Sequence, residues 1–413
     1  MKIVYLSPSG GLGGAERMLL NMLTSLRRLE EQIDTHVVML SNGPLGDALR
    51  EIDVNVTEHP MPLQLARLGD SWLRHGSQAR NSLGMLGSFL QAGVACPSYV
   101  RQLRRLIVGM QPDLIHSNGI KGHLFCRLMR LQYPAVWHLH DFCGTRPLVV
   151  RALRWSAMAA RATIAVSEAV ARDASAVLPG VPSHTIYNAI DTERFSPRNG
   201  DGNALDELAC LPPTQPDCIR VGLVATYARW KGQAVFLEAA QRITATFPNQ
   251  RIRFYIVGSP IYDTHGSQFS YNELRRIADA CDIADRVGFV SFQRNVEDVY
   301  RALDIVVHAS TQPEPFGLTI AEAMACGRPV VVSQAGGAME LFTSGYDAIG
   351  YQCGDAREMS HAIERLIEEP YLRDVLSKNA RQSAVSKFSM ARLASQLSGV
   401  YAKYISNKSH QAA

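Results

Sequence analysis

The sequence predicts an α/β protein built from two doubly wound parallel-sheet domains, and three observations carry that expectation. Short runs rich in β-branched and aromatic residues recur along the chain. Amphipathic helical patterns lie between most of them. The series is interrupted once, near 196–219, by a stretch of turn formers. Strands that are apolar throughout, rather than alternating, suit parallel sheets covered by helices on both faces. A chain of 413 residues has room for two such domains, on a prior of roughly 100–200 residues each.

In chain order, the first series of expected strands is 2–6, 36–40, 113–116, 135–140 and 163–166, with helices at 15–29 and 168–177. The second series has strands at 220–225, 252–257, 287–291, 305–309 and 330–333. Its helices fall at 234–246, 271–281, 297–303, 318–326 and 357–367. The domains are therefore drawn as 1–195 and 220–385, joined by a linker over 196–219. That linker holds Ser196-Pro197-Arg198-Asn199-Gly200 and Leu211-Pro212-Pro213, which are rich in turn formers and poor in periodicity. A final helix is expected over 386–405, crossing back to the first domain, and Asn407–Ala413 reads as a frayed tail. Two such domains facing one another would enclose a cleft at the carboxyl ends of their strands, where ligands bind in open α/β sheets.

Composition narrows the function. Hydrophobic residues at 46% and charged residues at 19% fit an ordinary globular protein. A net charge of +4 gives no reason to expect a nucleic-acid partner. The eight cysteines are scattered, with no C-x-x-C, which in a chain this long reads as reduced thiols and a cytoplasmic location. No signal peptide is expected, and no apolar run approaches the roughly 18 residues of a membrane span.

Four motifs carry chemistry. Gly10-Gly11-Leu12-Gly13-Gly14 follows the first strand and precedes a helix, so its backbone can approach a ligand while free N–H groups face an anion. The plain alternative is a tight turn. In the second motif, Glu314-Pro315-Phe316-Gly317-Leu318, the helix is held off until Leu318 and Glu314 sits at its mouth. Glu322 lies farther along that apolar helix, where an unpaired carboxylate is costly to bury. A pyrophosphate would sit on the amides at 317–319, and each carboxylate can accept two hydroxyl donors. The third motif, Trp137-His138-Leu139-His140-Asp141, ends a strand and sends His138 and His140 to one face. It is open to a substrate hydroxyl or to a purely structural role, and a metal site is discounted because no third ligand cluster has suitable spacing. The fourth, Arg229-Trp230-Lys231-Gly232, places a lysine at a strand–helix turn where it can neutralise a diphosphate.

Taken together these motifs resemble glycosyltransferase family 4, over nearly the whole chain. Glu314 and Glu322 match the family's E-x7-E signature, Gly13-Gly14-Ala15-Glu16-Arg17 its first glycine loop, His140-Asp141 its first-domain histidine and Lys231-Gly232 its phosphate lysine. Ser167-Glu168, Asn188–Asp191 and Gly336-Gly337 with Glu340 are also family-like. The resemblance implies the GT-B fold, two Rossmann-like domains about a central cleft, and a retaining transfer from a nucleotide-diphosphate sugar with no metal and no other cofactor. It implies His140, Glu314 and Lys231 as the catalytic group. It assigns the donor to Gly13, Gly14, Arg229, Lys231, Glu314, Phe316, Gly317, Leu318 and Glu322, with Glu322 on the ribose and Glu314 on the transferred sugar. One departure stands out: the family places an arginine five residues before the lysine, and this chain has Thr226 there. Arg229 is expected to supply the missing charge.

A nucleotide-sugar epimerase and a non-catalytic nucleotide-sugar-binding protein are the competing readings. The acceptor is expected to be a glycan or a lipid-linked glycan, as in polysaccharide assembly. The stretch 60–110 has Arg67, Arg74, Arg80, Arg101, Arg104 and Arg105 against the single acid Asp70. It reads either as a peripheral contact with the inner membrane face or as a helical pair packed on the first domain.

Overall fold

The computed structural model describes residues 1–29, 32–67, 82–260 and 266–406. The chain divides into two compact units. Met1–Ala189 and Met390–Ala413 form the first, and Ile190–Ser389 the second.

Among the described residues the first unit holds one parallel sheet of seven strands: Lys2–Ser7 (β1), Asp34–Met39 (β2), Asn55–Glu58 (β3), Leu114–Ser117 (β4), Ala135–Leu139 (β5), Ala160–Ala165 (β6) and Ser183–Thr185 (β7). Their order is β3-β2-β1-β4-β5-β6-β7. The second unit holds six parallel strands: Ile219–Val224 (β8), Ile252–Val257 (β9), Val287–Val290 (β10), Ile305–His308 (β11), Val330–Ser333 (β12) and Ile349–Tyr351 (β13). Their order is β10-β9-β8-β11-β12-β13. Each order reverses direction once, between β1 and β4 and between β8 and β11. Such a switch point opens a crevice at the strands' carboxyl ends, because the two flanking loops leave toward opposite faces of the sheet.

The strands that periodicity missed are β3, β7 and β13, and each is a sheet edge. An edge strand is covered less, so Asn55-Val56-Thr57-Glu58 and Ser183-His184-Thr185 can stay short and polar and show no apolar run. Helices at Leu45–Arg50, Ile120–Met129, Pro147–Ser156 and Pro370–Phe388 were also not anticipated.

The stretch 196–219 is not a bare linker. Asp201 caps a helix, Gly202–Leu208, by accepting from the amides of Asn203 and Ala204. Asp206 on that helix is fully buried and held by Arg220 at 2.9 Å, Arg253 at 2.8 Å and the Tyr255 hydroxyl. The segment is thus stapled to β8 and β9, and the units part at Ala189/Ile190 instead. The last helix is Met390–Ser406, split from Pro370–Phe388 at Ser389, where the backbone turns extended. It belongs to the first unit, burying Leu393, Leu397 and Tyr401 in a cluster with Leu19, Met22 and Leu26 of the helix Gly14–Leu29. Ser25 Oγ donates to the Met390 carbonyl at 2.6 Å and accepts from the Ala394 amide at 3.1 Å, fixing that seam.

Within 60–110, the described helix Ser82–Met110 buries Tyr99, Leu103 and Ile107 on the first unit and turns Arg101, Arg104 and Arg105 outward. Arg74, Arg80 and Asp70 lie outside the described residues, as does the tail 407–413. No helix among the described residues is long and apolar enough to cross a membrane.

Candidate active site

The second sheet builds its site from the loops on either side of its switch point. After β8 the chain runs through Thr226 to a short turn, Arg229–Lys231, and the next helix starts at Gln233. Gly232 joins the two with φ 80°, and a Cβ there would collide with the Ala309 carbonyl just beyond β11. Only glycine suits both demands, the left-handed backbone and the close approach. The Thr311 amide donates to the Trp230 carbonyl at 2.7 Å, so the two loops are tied by backbone as well. Lys231 is thereby delivered against the loop that carries Glu314.

Lys231 Nζ donates to Glu314 Oε2 at 2.6 Å, with side-chain exposures of 20% and 9%. Ser310 Oγ donates to the same oxygen at 2.8 Å, and His308 Nε2 lies 3.3 Å away. Burial alone would raise the Glu314 carboxyl. The Lys231 ammonium, with His308, outweighs it and holds the group well below the usual carboxylate range. The Glu314 backbone is clamped too, accepting from the Gly337 amide at 2.7 Å and donating to the Ala335 carbonyl at 3.2 Å. Gly336, at φ 68°, allows that contact, since a Cβ there would meet the Glu314 oxygen at 2.6 Å. The family-like glycine pair after β12 is thus a backbone clamp on the glutamate.

Gly317, at φ 104°, opens the helix Leu318–Ala325. Glu322 is buried on that helix and accepts from the Tyr300 hydroxyl at 2.9 Å, which relieves the cost of a carboxylate among Ile320, Ala323 and Met324.

Two expected donor contacts are placed elsewhere. Phe316 is buried and meets Phe388 edge-on at 5.7 Å, so its ring anchors the loop to the core instead of facing a ligand. Arg229 is not directed at the Lys231–Glu314 pair. Its guanidinium stacks on Phe269 at 4.2 Å, donates to the Gly266 carbonyl at 2.9 Å and pairs with Glu273 at 2.6 Å. Glu273 is itself the N3 partner in the Ser270 capping box. Three nearby partners fix Arg229 to the start of the helix Tyr271–Ala280, so the charge absent at Thr226 is not restored from there.

The first sheet repeats the geometry. The loop after β1 carries Gly10–Gly13, and the helix begins at Gly14. The sterically constrained residue is Gly10, where a Cβ would lie 2.6 Å from the backbone of Ser41 and Asn42. One on Gly13 would meet only the Glu16 carboxylate. Gly13 is free to face a ligand, whereas Gly10 packs loop against loop. Beyond β4, the other side of the switch point, Asn118 is buried. Its Oδ1 lies 2.7 Å from His140 Nε2, and its Nδ2 donates to the Ala15 carbonyl at 3.4 Å. An amide oxygen only accepts, so His140 Nε2 carries the proton.

Behind His140 lies a buried row: His138 at 4.1 Å between ring centroids, then His116 at 5.3 Å, whose Nδ1 meets the Tyr401 hydroxyl at 2.9 Å. Tyr401 in turn meets Tyr5 at 3.1 Å. Burial lowers His140 to about 4 and His116 to about 3, and drives His138 and His123 well down, so the row is neutral. The structure brings Asn118 and His140 together beside Ala15, two residues past Gly13, and separately Lys231, Glu314 and Gly317. Asn118, His308, Ser310 and Tyr300 escaped the sequence reading. Three of them sit at or just past strand ends, the one signal that could have flagged them.

Comparison with known proteins gives a consistent answer. Residues 12–194 match Glycosyltransferase Family 4, and residues 215–383 match Glycosyl transferases group 1. A D-inositol 3-phosphate glycosyltransferase 2 of Catenulispora acidiphila is 32% identical over 54% of this chain and 50% of its own length. The lipopolysaccharide core biosynthesis mannosyltransferase LpsB of Rhizobium meliloti is 30% identical over 54% and 61%. The chain thus spans about half to three-fifths of these two relatives. An alpha-maltose-1-phosphate synthase of Mycobacterium tuberculosis is 28% identical over 70% and 79%. Among solved structures, Anabaena HepE in complex with UDP and glucose superposes with a TM-score of 0.78 at 24% identity, over 97% of this chain and 99% of that one. The sucrose-phosphate synthase of Thermosynechococcus elongatus gives 0.73 at 18% identity, over 98% and 100%. The fold is that of the GT-B glycosyltransferases.

Proposed function

The chain belongs to glycosyltransferase family 4, and from that premise we propose that it is a retaining, metal-independent transferase. It moves a hexosyl or similar sugar from a nucleotide-diphosphate donor to a glycan or lipid-linked acceptor in polysaccharide or glycoconjugate assembly. The observation that carries this reading is the Lys231–Glu314 pair at the switch point of the second sheet. It sets a cation suited to a diphosphate beside a carboxylate suited to sugar hydroxyls.

In this reading the bond between the anomeric carbon and the diphosphate oxygen breaks, and the acceptor hydroxyl forms its bond on the same face. The acceptor proton leaves with the departing phosphate. Lys231, the more open partner of its pair, and the free amides at Gly317 and Leu318 stabilise the charge growing on the leaving group. Glu314 holds sugar hydroxyls and Glu322, oriented by Tyr300, the ribose. His140, neutral at working pH with its proton on Nε2, accepts from a sugar hydroxyl through Nδ1, and the Gly13 and Gly14 amides approach the phosphates. Arg229 has no part in the donor site. The enzyme works from the cytoplasm, with peripheral contact at the inner membrane face.

The test is a thermal-shift panel of nucleoside diphosphates, with UDP first because HepE was crystallised with it, on wild type and Glu322→Ala. A ligand that binds the native state raises the melting temperature by mass action. A shift with one base, lost in the variant, is expected. Product anomeric configuration by NMR, with and without chelator, then tests retention and metal independence. If no nucleotide shifts a folded sample, the donor assignment fails. An inverted product would sink the retaining mechanism alone.

A further inference from the structure

From Cys96 to Arg161 the chain carries nine arginines and one lysine against only Asp113 and Asp141, a net of +8 in a protein whose total is +4. The remainder is therefore acidic, and the positive charge is concentrated in one stretch of the first unit. Within that stretch the structure exposes large apolar side chains. On the helix Pro147–Ser156, Leu148, Arg151 and Trp155 repeat at three- and four-residue spacing, and Met158 follows one turn on; they form one outward stripe. Trp155 is 54% exposed and Met158 82%, values at odds with a surface that meets only water. The neighbouring helix Ile120–Met129 adds Leu128, also exposed, and Arg127, whose guanidinium lies 5.5 Å from the Trp155 ring. That contact joins the two stripes into one face. The opposite sides of both helices are buried, through Val149 and Leu153 and through Phe125 and Met129, so the outward face is left over after folding.

We propose that this face docks the protein on an anionic lipid bilayer, with Trp155 and Met158 at the headgroup level and the arginines on lipid phosphates. The inference rests on the reading that the enzyme works at a membrane and moves the contact from the stretch 60–110 to the helices Ile120–Met129 and Pro147–Ser156. The chemistry selects the partner. Tryptophan and methionine beside arginines suit an interface that is apolar on one side and anionic on the other. A second copy of the same cationic face would repel it, since the like charges would be brought together and desolvated.

The full-length protein is mixed with phosphatidylcholine vesicles, with and without phosphatidylglycerol, in the absence of donor and acceptor, and pelleted. Wild type is expected to sediment with the anionic vesicles only, less so at high salt. Arg127→Glu/Arg151→Glu and Trp155→Glu/Met158→Glu should each bind at least roughly tenfold more weakly, since one arginine near such a surface is worth about 1 kcal/mol. Unchanged melting temperatures would exclude misfolding of the variants. As a second readout, brominated lipid should quench wild-type tryptophan emission more than that of Trp155→Phe. Binding of either double variant equal to wild type would overturn the proposal. So would a wild type that ignores both vesicles, or a dimer dispersed by Trp155→Glu. Because no nucleotide is present, a wild type that binds neither vesicle yet keeps its nucleotide shift sinks this inference alone. The converse result sinks the donor assignment alone.

Discussion

Replacing Lys231 with methionine keeps the bulk of the side chain and removes the charge that compensates Glu314. The carboxylate stays, 9% exposed, with Ser310 at 2.8 Å and His308 at 3.3 Å as its remaining partners. Removing one member of a buried pair costs about 3–5 kcal/mol, and the two surviving partners put this site at the low end, about 3 kcal/mol. For a unit the size of Ile190–Ser389, at about 2–4 °C per kcal/mol, that is a melting decrease of about 6–12 °C. The pH dependence has a definite sign. In wild type the Glu314 carboxyl is depressed, so its contribution is intact at neutral pH and is lost only in strong acid. In Lys231→Met burial acts without the ammonium and pushes the carboxyl up, so the variant is penalised above that value and relieved as pH falls. The gap between the proteins should narrow from pH 7.5 to pH 5. Adding Glu314→Gln should recover at least half the loss, because the uncompensated charge is gone. The assay is a thermal melt of wild type, both single variants and the double variant at the two pH values. A single variant within about 0.5 kcal/mol of wild type, the size of an ordinary surface substitution, would refute the reasoning. So would a double variant no better than the sum of its parts.

Arg229→Ala should lower the melting temperature, because it strips the capping box of Glu273's partner, yet change nucleotide affinity by less than about twofold; a large loss of affinity would return Arg229 to the donor site. Tyr300→Phe should weaken nucleoside-diphosphate binding by about three- to tenfold, the value of one hydrogen bond, and calorimetry showing no change would detach Tyr300 from Glu322's function. Acid should destabilise the first unit early. His116, His123 and His138 are buried neutral, so the unfolded chain binds more protons below about pH 6.5, and together they remove up to ~4 kcal/mol per pH unit as pH falls. A urea midpoint, followed by tryptophan emission, that stays flat from pH 7 to pH 5 would contradict this.

Local pattern alone determined the class of the fold and the central strands. Runs such as Val330–Ser333 and Ile305–His308 are buried on both faces and are apolar at every position but the last. It also marked Lys231, Glu314, Glu322 and the glycine loop, because each stands at a strand–helix junction or on a helix that would not otherwise tolerate it. Pairing across the chain was decided only in three dimensions. Nothing in the sequence says that Lys231 reaches Glu314, 83 positions away, or that Arg229, two residues from Lys231, pairs with Glu273 instead. Side chains two apart leave a turn in different directions, and which partner each finds depends on where the sheet order sets the neighbouring loops. The same holds for the edge strands β3, β7 and β13, whose short sequences, polar in β3 and β7 and three residues long in β13, become strands because a neighbour offers a ladder. It holds as well for Tyr401, which reaches His116 because the last helix packs on the first. Periodicity records what a residue's own segment must bury. Tertiary packing decides which distant group it is buried against.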